Sequence, residues 1–274
     1  MRIFSTGFYL LCLAIILCIS PLKADDKIIR LAVVNTPYKS GLMTYLLQDF
    51  ETISGYRVAL YGGEDVFDRA QRGQADLLIA HYGKAAFEDF VLNGLGSWPQ
   101  MVFAHQQVLI GPSSDPAGIE GMTRAAPALT QLADNQQPFV LNQIIGVTAR
   151  FVLLLQQSGR TDKRGWLVDK NVAKGQAMKQ ADKLDAYTLW GADPFIRFSQ
   201  KQQPDLKILV SADPLLQRVM AISLVNPENQ AGINATGASV LQDYLLSAPV
   251  QARVSQFRQS GYTGQLWWPA ARHN

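Results

Sequence analysis

Short apolar runs alternate along the chain with stretches in which apolar residues recur every three or four positions. Eight runs have strand length and composition: Ile28–Val34, Tyr56–Tyr61, Ala75–His81, Met101–Ile110, Phe139–Leu141, Ala186–Leu189, Leu206–Val210 and Ala221–Val225. Between the first two, Leu42, Tyr45, Leu46, Phe50 and Ile53 fall on one helical face, and Gly55 supplies a stop. Val147, Phe151, Leu154 and Leu155 repeat that pattern ahead of Gly159. Two closing helices are expected over Ala238–Leu246 and Val250–Gln259, separated near Pro249. Strands alternating with helices predict an α/β fold with mainly parallel sheets flanked by helices.

Two clusters of turn-forming residues punctuate this alternation. Val108–Gly118 ends a strand in Gly, Pro, Ser and Asp, and Leu209–Leu216 does much the same later in the chain. A chain that leaves one α/β lobe, builds a second and returns needs two such crossings, whereas ordinary surface loops would produce the same pattern. No internal repeat or low-complexity run is present.

The N-terminus changes what the composition means. Arg2 precedes an apolar run from Phe8 to Ile19, then Pro21 and Ala24. This is the form of a cleaved secretory signal peptide over residues 1–24, and it predicts export to the periplasm. Ile16-Leu17 before Cys18 does not suit a lipid-anchoring signal. Both cysteines, Cys12 and Cys18, lie in this segment, so no disulfide, thiolate nucleophile or cysteine metal ligand is expected in the exported protein. Loss of Arg2 and Lys23 would lower the formal net charge from +3 to +1. Near neutrality argues against a nucleic-acid partner. The remaining chain, about 250 residues, is long enough for one large domain or two lobes.

The chemistry-bearing motifs of common enzymes are missing: Gly-x-Ser-x-Gly, His-Glu-x-x-His, a phosphate loop and a dinucleotide fingerprint. An enzyme is therefore not expected, and no cofactor or metal is called for. Of three histidines, His81 ends a strand pattern, His105 lies within one and His273 is in the tail. His81 holds a position from which it could touch a ligand. Trp267-Trp268 is expected to pack the C-terminus onto the first lobe.

The turn after the first strand reads Asn35-Thr36-Pro37, with Ser40-Gly41 following. Thr36 and Ser40 suit helix N-caps and Pro37 suits a first helical position. In open α/β sheets, ligands bind at the carboxyl ends of strands, where helix N-termini present free N–H groups.

At this turn the sequence becomes similar to a known family. The stretch IRLAVVNTPYKSGLMTYLLQDFETISGYRV (Ile29–Val58) resembles the start of the periplasmic tungstate-binding proteins of ABC transporters. GQADLLIAH (Gly73–His81), the crossing from Val108, DAYTLW (Asp185–Trp190) and ILVSADPLLQRVMAISLVNP (Ile208–Pro227) extend the resemblance over nearly the whole exported chain. It implies the two-lobed periplasmic-binding-protein fold, a ligand held in a cleft that closes by hinge motion, an ABC membrane permease as partner, and a monomer. With the two crossings, it places the first lobe at residues 25–111 plus 212–274 and the second at 112–211.

The resemblance weakens where that family holds its oxyanion. The family's run of Thr and Ser is here Val33-Val34-Asn35-Thr36-Pro37, and Pro37 has no N–H to donate. Where the family reads Ser-Arg-Gly-Asp, this chain reads Leu141-Asn142-Gln143-Ile144. The family's Thr-Asp-Arg becomes Trp190-Gly191-Ala192. Two arginine positions are thus neutral, and an altered oxyanion site is expected unless Arg150 or Arg197, nearby in sequence, compensates. The candidate ligand-binding residues are Asn35, Thr36, Ser40, Gly41, His81, Asn142, Gln143, Thr148 and Trp190, for a small-molecule or oxyanion ligand. A binding-protein-like sensor or receptor-docking module, with a different or lost ligand, is the alternative to a transport role.

Overall fold

The computed structural model describes residues 27–160, 165–211 and 213–271. The expected signal peptide, with Cys12 and Cys18, lies outside the described residues, as does His273. In chain order the elements are β1 (Ile28–Val33), α1 (Asn35–Lys39), α2 (Leu42–Leu47), α3 (Phe50–Ser54), β2 (Arg57–Gly62), α4 (Val66–Gln71), β3 (Leu77–His81), α5 (Ala85–Leu92), β4 (Gln100–Pro112) and α6 (Ala125–Asp134). They continue with β5 (Phe139–Val140), α7 (Ile145–Gln157), β6 (Leu167–Val168), α8 (Gly175–Lys183), β7 (Tyr187–Gly191), α9 (Ala192–Gln202) and β8 (Leu206–Val210). The last four are β9 (Gln217–Leu224), α10 (Ala235–Leu246), α11 (Ala248–Gln256) and β10 (Trp267–Pro269).

The strands form one continuous hydrogen-bonded order, β2-β1-β3-β9-β4-β7-β5-β6, with β8 and β10 also on β4. Pairing is parallel on both outer sides, where β1 meets β2 and β3 and where β5 meets β6 and β7. It is antiparallel where β9 and β4 are inserted between those groups. The 13-residue β4 is the element common to both halves. Its residues up to Gln106 pair with β9, and from Gln107 onward it pairs with β7. A strand that changes partners part-way carries the chain from one sheet to the other without a loop.

The apolar runs fold as their patterns require. β3 is buried at all positions but its last, because helices cover both faces of that half. The expected helix from Leu42 divides at Gln48-Asp49: Leu42, Leu46 and Phe50 are buried, whereas Ile53 is 71% exposed. Gly55 closes α3 at φ 70°, a left-handed conformation that favours glycine. Buried Asp76 ties the first half together. Its carboxylate accepts from the backbone and guanidinium of Arg30 on β1 (2.6 and 2.5 Å) and from the backbone of Asn234 at 2.9 Å, ahead of α10. A buried carboxylate is tolerated when it is paired and hydrogen-bonded in this way. At the C-terminus, β10 adds to β4, and Trp267 is fully buried against Phe103 and His105, with ring centroids 5.3 and 5.5 Å apart.

Candidate functional site

A cavity of about 930 Å³ opens where the carboxyl end of β3 faces the start of α7. Its floor is His81, the last residue of β3, with Gln217, Arg218 and Val219 from the beginning of β9. One wall is the turn from Tyr82 into α5, through Lys84, Ala85 and Ala86. The opposite wall is α7, through Ile144, Ile145, Gly146, Ala149, Arg150 and Leu153.

Two helices therefore begin at this cavity, one from each side. Neither has a side-chain cap: Lys84 precedes α5 and Ile144 precedes α7, both in extended backbone, and only their carbonyls serve the helix starts, accepting from the Phe87 amide at 2.9 Å and from the Val147 and Thr148 amides at 2.7 and 2.9 Å. Amides in the first turn have no acceptor within their own helix. Aligned peptide dipoles add partial positive charge at both ends.

Fixed cations reinforce them. Lys84, Arg150 and Arg218 line the cavity, against the single carboxylate of Glu64, which accepts from Asn35 Nδ2 at 2.9 Å and lies 4.0 Å from Lys84. Arg150 is anchored by a hydrogen bond from its guanidinium to the Gln217 carbonyl at 3.1 Å. Arg218 stands opposite buried His105 in the β4–β9 register. Burial and the charge of Arg150 both press the Arg218 guanidinium below its ordinary pKa, with no carboxylate to offset them. The Arg218 guanidinium packs so closely on Gly146 that a Cβ there would collide with it. Buried Gln107 secures that approach by donating from Nε2 to the Gly146 carbonyl at 3.1 Å.

His81 and His105 sit side by side under this cationic floor, with ring centroids 5.2 Å apart. Burial, followed by the charges of His105, Arg218 and Lys84, holds His81 well below the usual imidazole pKa. Burial and Arg218 lower His105 to about 3. Both rings are neutral at pH 7. Nδ1 of His81 and both ring nitrogens of His105 are buried without hydrogen-bond partners among the described residues. A neutral imidazole can donate from one nitrogen and accept on the other, so His81 can serve an anion as a donor without bringing a charge of its own.

Of the nine candidates from the sequence, His81 is the one on the lining of this cavity. Asn35 reaches it indirectly, through Glu64. Thr36 and Ser40 belong to the internal bonding of α1: the Ser40 amide donates to the Thr36 carbonyl, and Ser40 Oγ donates to the Pro37 carbonyl and accepts from the Leu42 amide. Gly41 starts α2 at φ 84°. Buried Asn142 donates to the Leu189 carbonyl at 3.3 Å and accepts from the Lys174 amide at 2.9 Å. Gln143 donates to Asp169, Thr148 donates to the Asn142 carbonyl, and Trp190 is 9% exposed against Phe198. Asp76 and His81 do not share a metal site, since Asp76 is committed to Arg30, and no cluster of three metal-ligating residues exists among the described residues. Arg197 is paired with buried Asp193 at 2.5 Å, whereas Arg150 reaches the cavity. Arg218 was not among the candidates. The signal that marks it is the one charge in Leu215–Leu224, a run whose other polar residues are Gln217 and Ser223.

No family model matches the chain. It is 29% identical over 254 residues to the tungstate-binding protein TupA of Peptoclostridium acidaminophilum, covering 91% of this chain and 87% of that one. A Haloferax volcanii protein named for anion binding in an ABC transporter is 27% identical over 249 residues, covering 89% of this chain and 72% of the other. Over most of its length the chain is thus similar to proteins named for tungstate and anion binding. The solved tungstate-binding protein TupA of Desulfovibrio alaskensis superposes with a TM-score of 0.78 at 24% identity, over 89% of this chain and 99% of that one. The chain therefore has the two-lobed periplasmic-binding-protein fold, and the relatives it matches are named as binding proteins.

Proposed function

We propose that the chain is the solute-binding component of an ABC uptake system and that it holds a small anion in the cavity between β3–α5 and α7. The observation that carries this reading is Arg218, a half-buried guanidinium at the cleft floor with no carboxylate partner, beside Arg150 and two uncapped helix N-termini. A cation kept desolvated and unpaired is costly by itself and is offset when an anion arrives. In this reading the arginine function has moved. Positions Asn142 and Ala192 are neutral, and Arg218 on β9 with Arg150 on α7 supply the charge instead. Asn142 and Thr148 set the entry of α7 into the cleft rather than touching the ligand.

The first lobe is residues 25–111 plus 212–274 and the second 112–211, and they close on the ligand by hinging along β4 and the segment between β8 and β9. The protein acts as a monomer in the periplasm after removal of residues 1–24, and delivers its ligand to a membrane permease. No helix among the described residues is long and apolar enough to cross a membrane. Calorimetric titration of ligand-stripped protein with tungstate, molybdate, sulfate, phosphate and small organic acids tests the reading. Saturable micromolar or tighter binding of at least one anion is expected. Binding of none of them, with a neutral solute found by native mass spectrometry of protein from its own periplasm, would overturn it.

A further inference from the structure

The walls of the cleft are not those of a site for a bare inorganic oxyanion. A small dianion removed from water needs donors on every side. Here Arg218 lies at the floor and Lys84 and Arg150 on the two walls, and the rest of those walls is mostly apolar. On α7, Ile145, Ala149 and Leu153 recur every four residues and form one stripe along the face that lines the cleft. Across from them lie Tyr82, Ala85 and Ala86. Ile145 is 90% exposed and Tyr82 46% exposed, so two apolar edges face each other across water. Isolated apolar residues on a surface need no explanation, but a matched pair of edges over a cationic floor does.

We infer that the ligand is an amphipathic organic anion: an acidic head on Arg218, Arg150 and His81, and an apolar body between the Ile145–Leu153 stripe and the Tyr82–Ala86 wall. This rests on the anion reading above and names the class of solute that the site takes. The open cleft of about 930 Å³ leaves room for such a body. A tetrahedral oxyanion would meet the floor and leave both walls in contact with water or with each other. Charge complementarity sets the head, since the lining carries Lys84, Arg150 and Arg218 against Glu64 alone. The apolar stripe sets the rest.

Two homologous probe series decide it: straight-chain carboxylates from acetate to octanoate, and alkylphosphonates from methyl to hexyl, titrated calorimetrically beside phosphate, sulfate and tungstate. At least one series is expected to gain about two- to fourfold in affinity per added CH2 until the cleft is filled. Ile145→Ser, at an exposed position, is expected to flatten that slope, read as the ratio of longest-chain to shortest-chain affinity in the same series. Arg218→Gln is expected to weaken all members of the series by a similar factor and leave the slope standing. Tight tungstate, sulfate or phosphate binding with no gain along either series would overturn the inference while the anion-binding function stands. A slope unchanged in Ile145→Ser would also overturn it. Failure of every anion to bind would remove the function reading itself, a different result from either of these.

Discussion

Two strand-to-helix turns of the first lobe invite comparison, β1 into α1 and β3 into α5. The first is rich in side-chain donors, with Asn35, Thr36 and Ser40 within six residues. Two of those donors serve the protein itself: Asn35 bonds Glu64, and Ser40 closes α1 and opens α2. The second turn, His81 to Ala86, also carries three donor side chains, His81, Tyr82 and Lys84, but none of them caps α5. It is the second that lines the cleft. Short polar side chains next to backbone amides tend to satisfy those amides. A turn in which no side chain caps the helix leaves the first amides, those of Ala85 and Ala86, for a ligand. What matters for a binding site is the number of donors left over after folding, and a count of polar residues overstates it.

The strongest way to break this contrast is at the cleft floor. Arg218→Gln removes the cation that has no carboxylate partner, and it is expected to weaken anion binding by at least about thirtyfold, in line with roughly 2–5 kcal/mol for truncating one partner of a buried charge pair. An affinity unchanged in calorimetry would move the site back to the first turn.

The imidazole pair beneath the floor gives the next largest effect. His105 has a folded pKa of about 3 against an ordinary value of 6.5. As pH falls below 6.5 the unfolded chain takes up a proton that the folded protein refuses, so stability present above pH 6.5 is lost progressively toward pH 3. Because His105 is 5% exposed, the loss at the acid end amounts to several kcal/mol, roughly 5 at most. His81 shifts in the same direction. Urea unfolding across this range should show a shallower pH dependence in His105→Gln than in the unaltered protein. Equal slopes would mean that the ring is reached by water or protonated in the fold.

Asn142 sharpens the comparison from the second lobe. Its buried amide joins β7 to the approach of α8, so Asn142→Ala is expected to cost about 1–3 kcal/mol in stability through the Lys174 amide and Leu189 carbonyl left unpaired. The loss is expected in denaturant midpoint, with any change in anion affinity secondary to it. The smallest effect is expected at Asn35, whose side chain bonds only the half-exposed rim. Asn35→Ala should change stability by no more than about 0.5 kcal/mol and anion affinity by a similar amount. A large loss of affinity there would restore the first turn as the ligand site.

Much of the fold was legible along the chain because burial imposes a period. Leu206–Val210 matches β8 residue for residue, and most other strand runs match within one to three residues, the largest shift being at the start of β9. What was not placed includes the helices α4, α5, α6, α8 and α9, left as gaps between strand runs, and the two-residue β6 and the added strand β10, which owe their place to neighbours rather than to any pattern of their own. The division of α2 from α3 escaped as well, since Leu42, Leu46 and Phe50 hold one face across the break. At the candidate site, His81 was visible as a polar residue ending an apolar strand, whereas Asn142 and Gln143 were visible as polar residues after another, and the fold gives their side chains partners within the protein.

By itself the sequence determined an α/β chain of alternating strands and helices, punctuated by two clusters of turn-forming residues. Hydrophobic period and local turn chemistry act over a few residues, so they can be read in order along the chain. Only the tertiary structure decided that Arg218 on β9, Arg150 on α7 and His81 on β3 meet at one cleft, although 68 residues separate Arg150 from Arg218 along the chain. Their meeting depends on β4 changing partners at Gln106–Gln107, and on Gly146 letting a guanidinium lie against a helix start. A pairing register and a close approach are relations between distant segments, and no local pattern carries them.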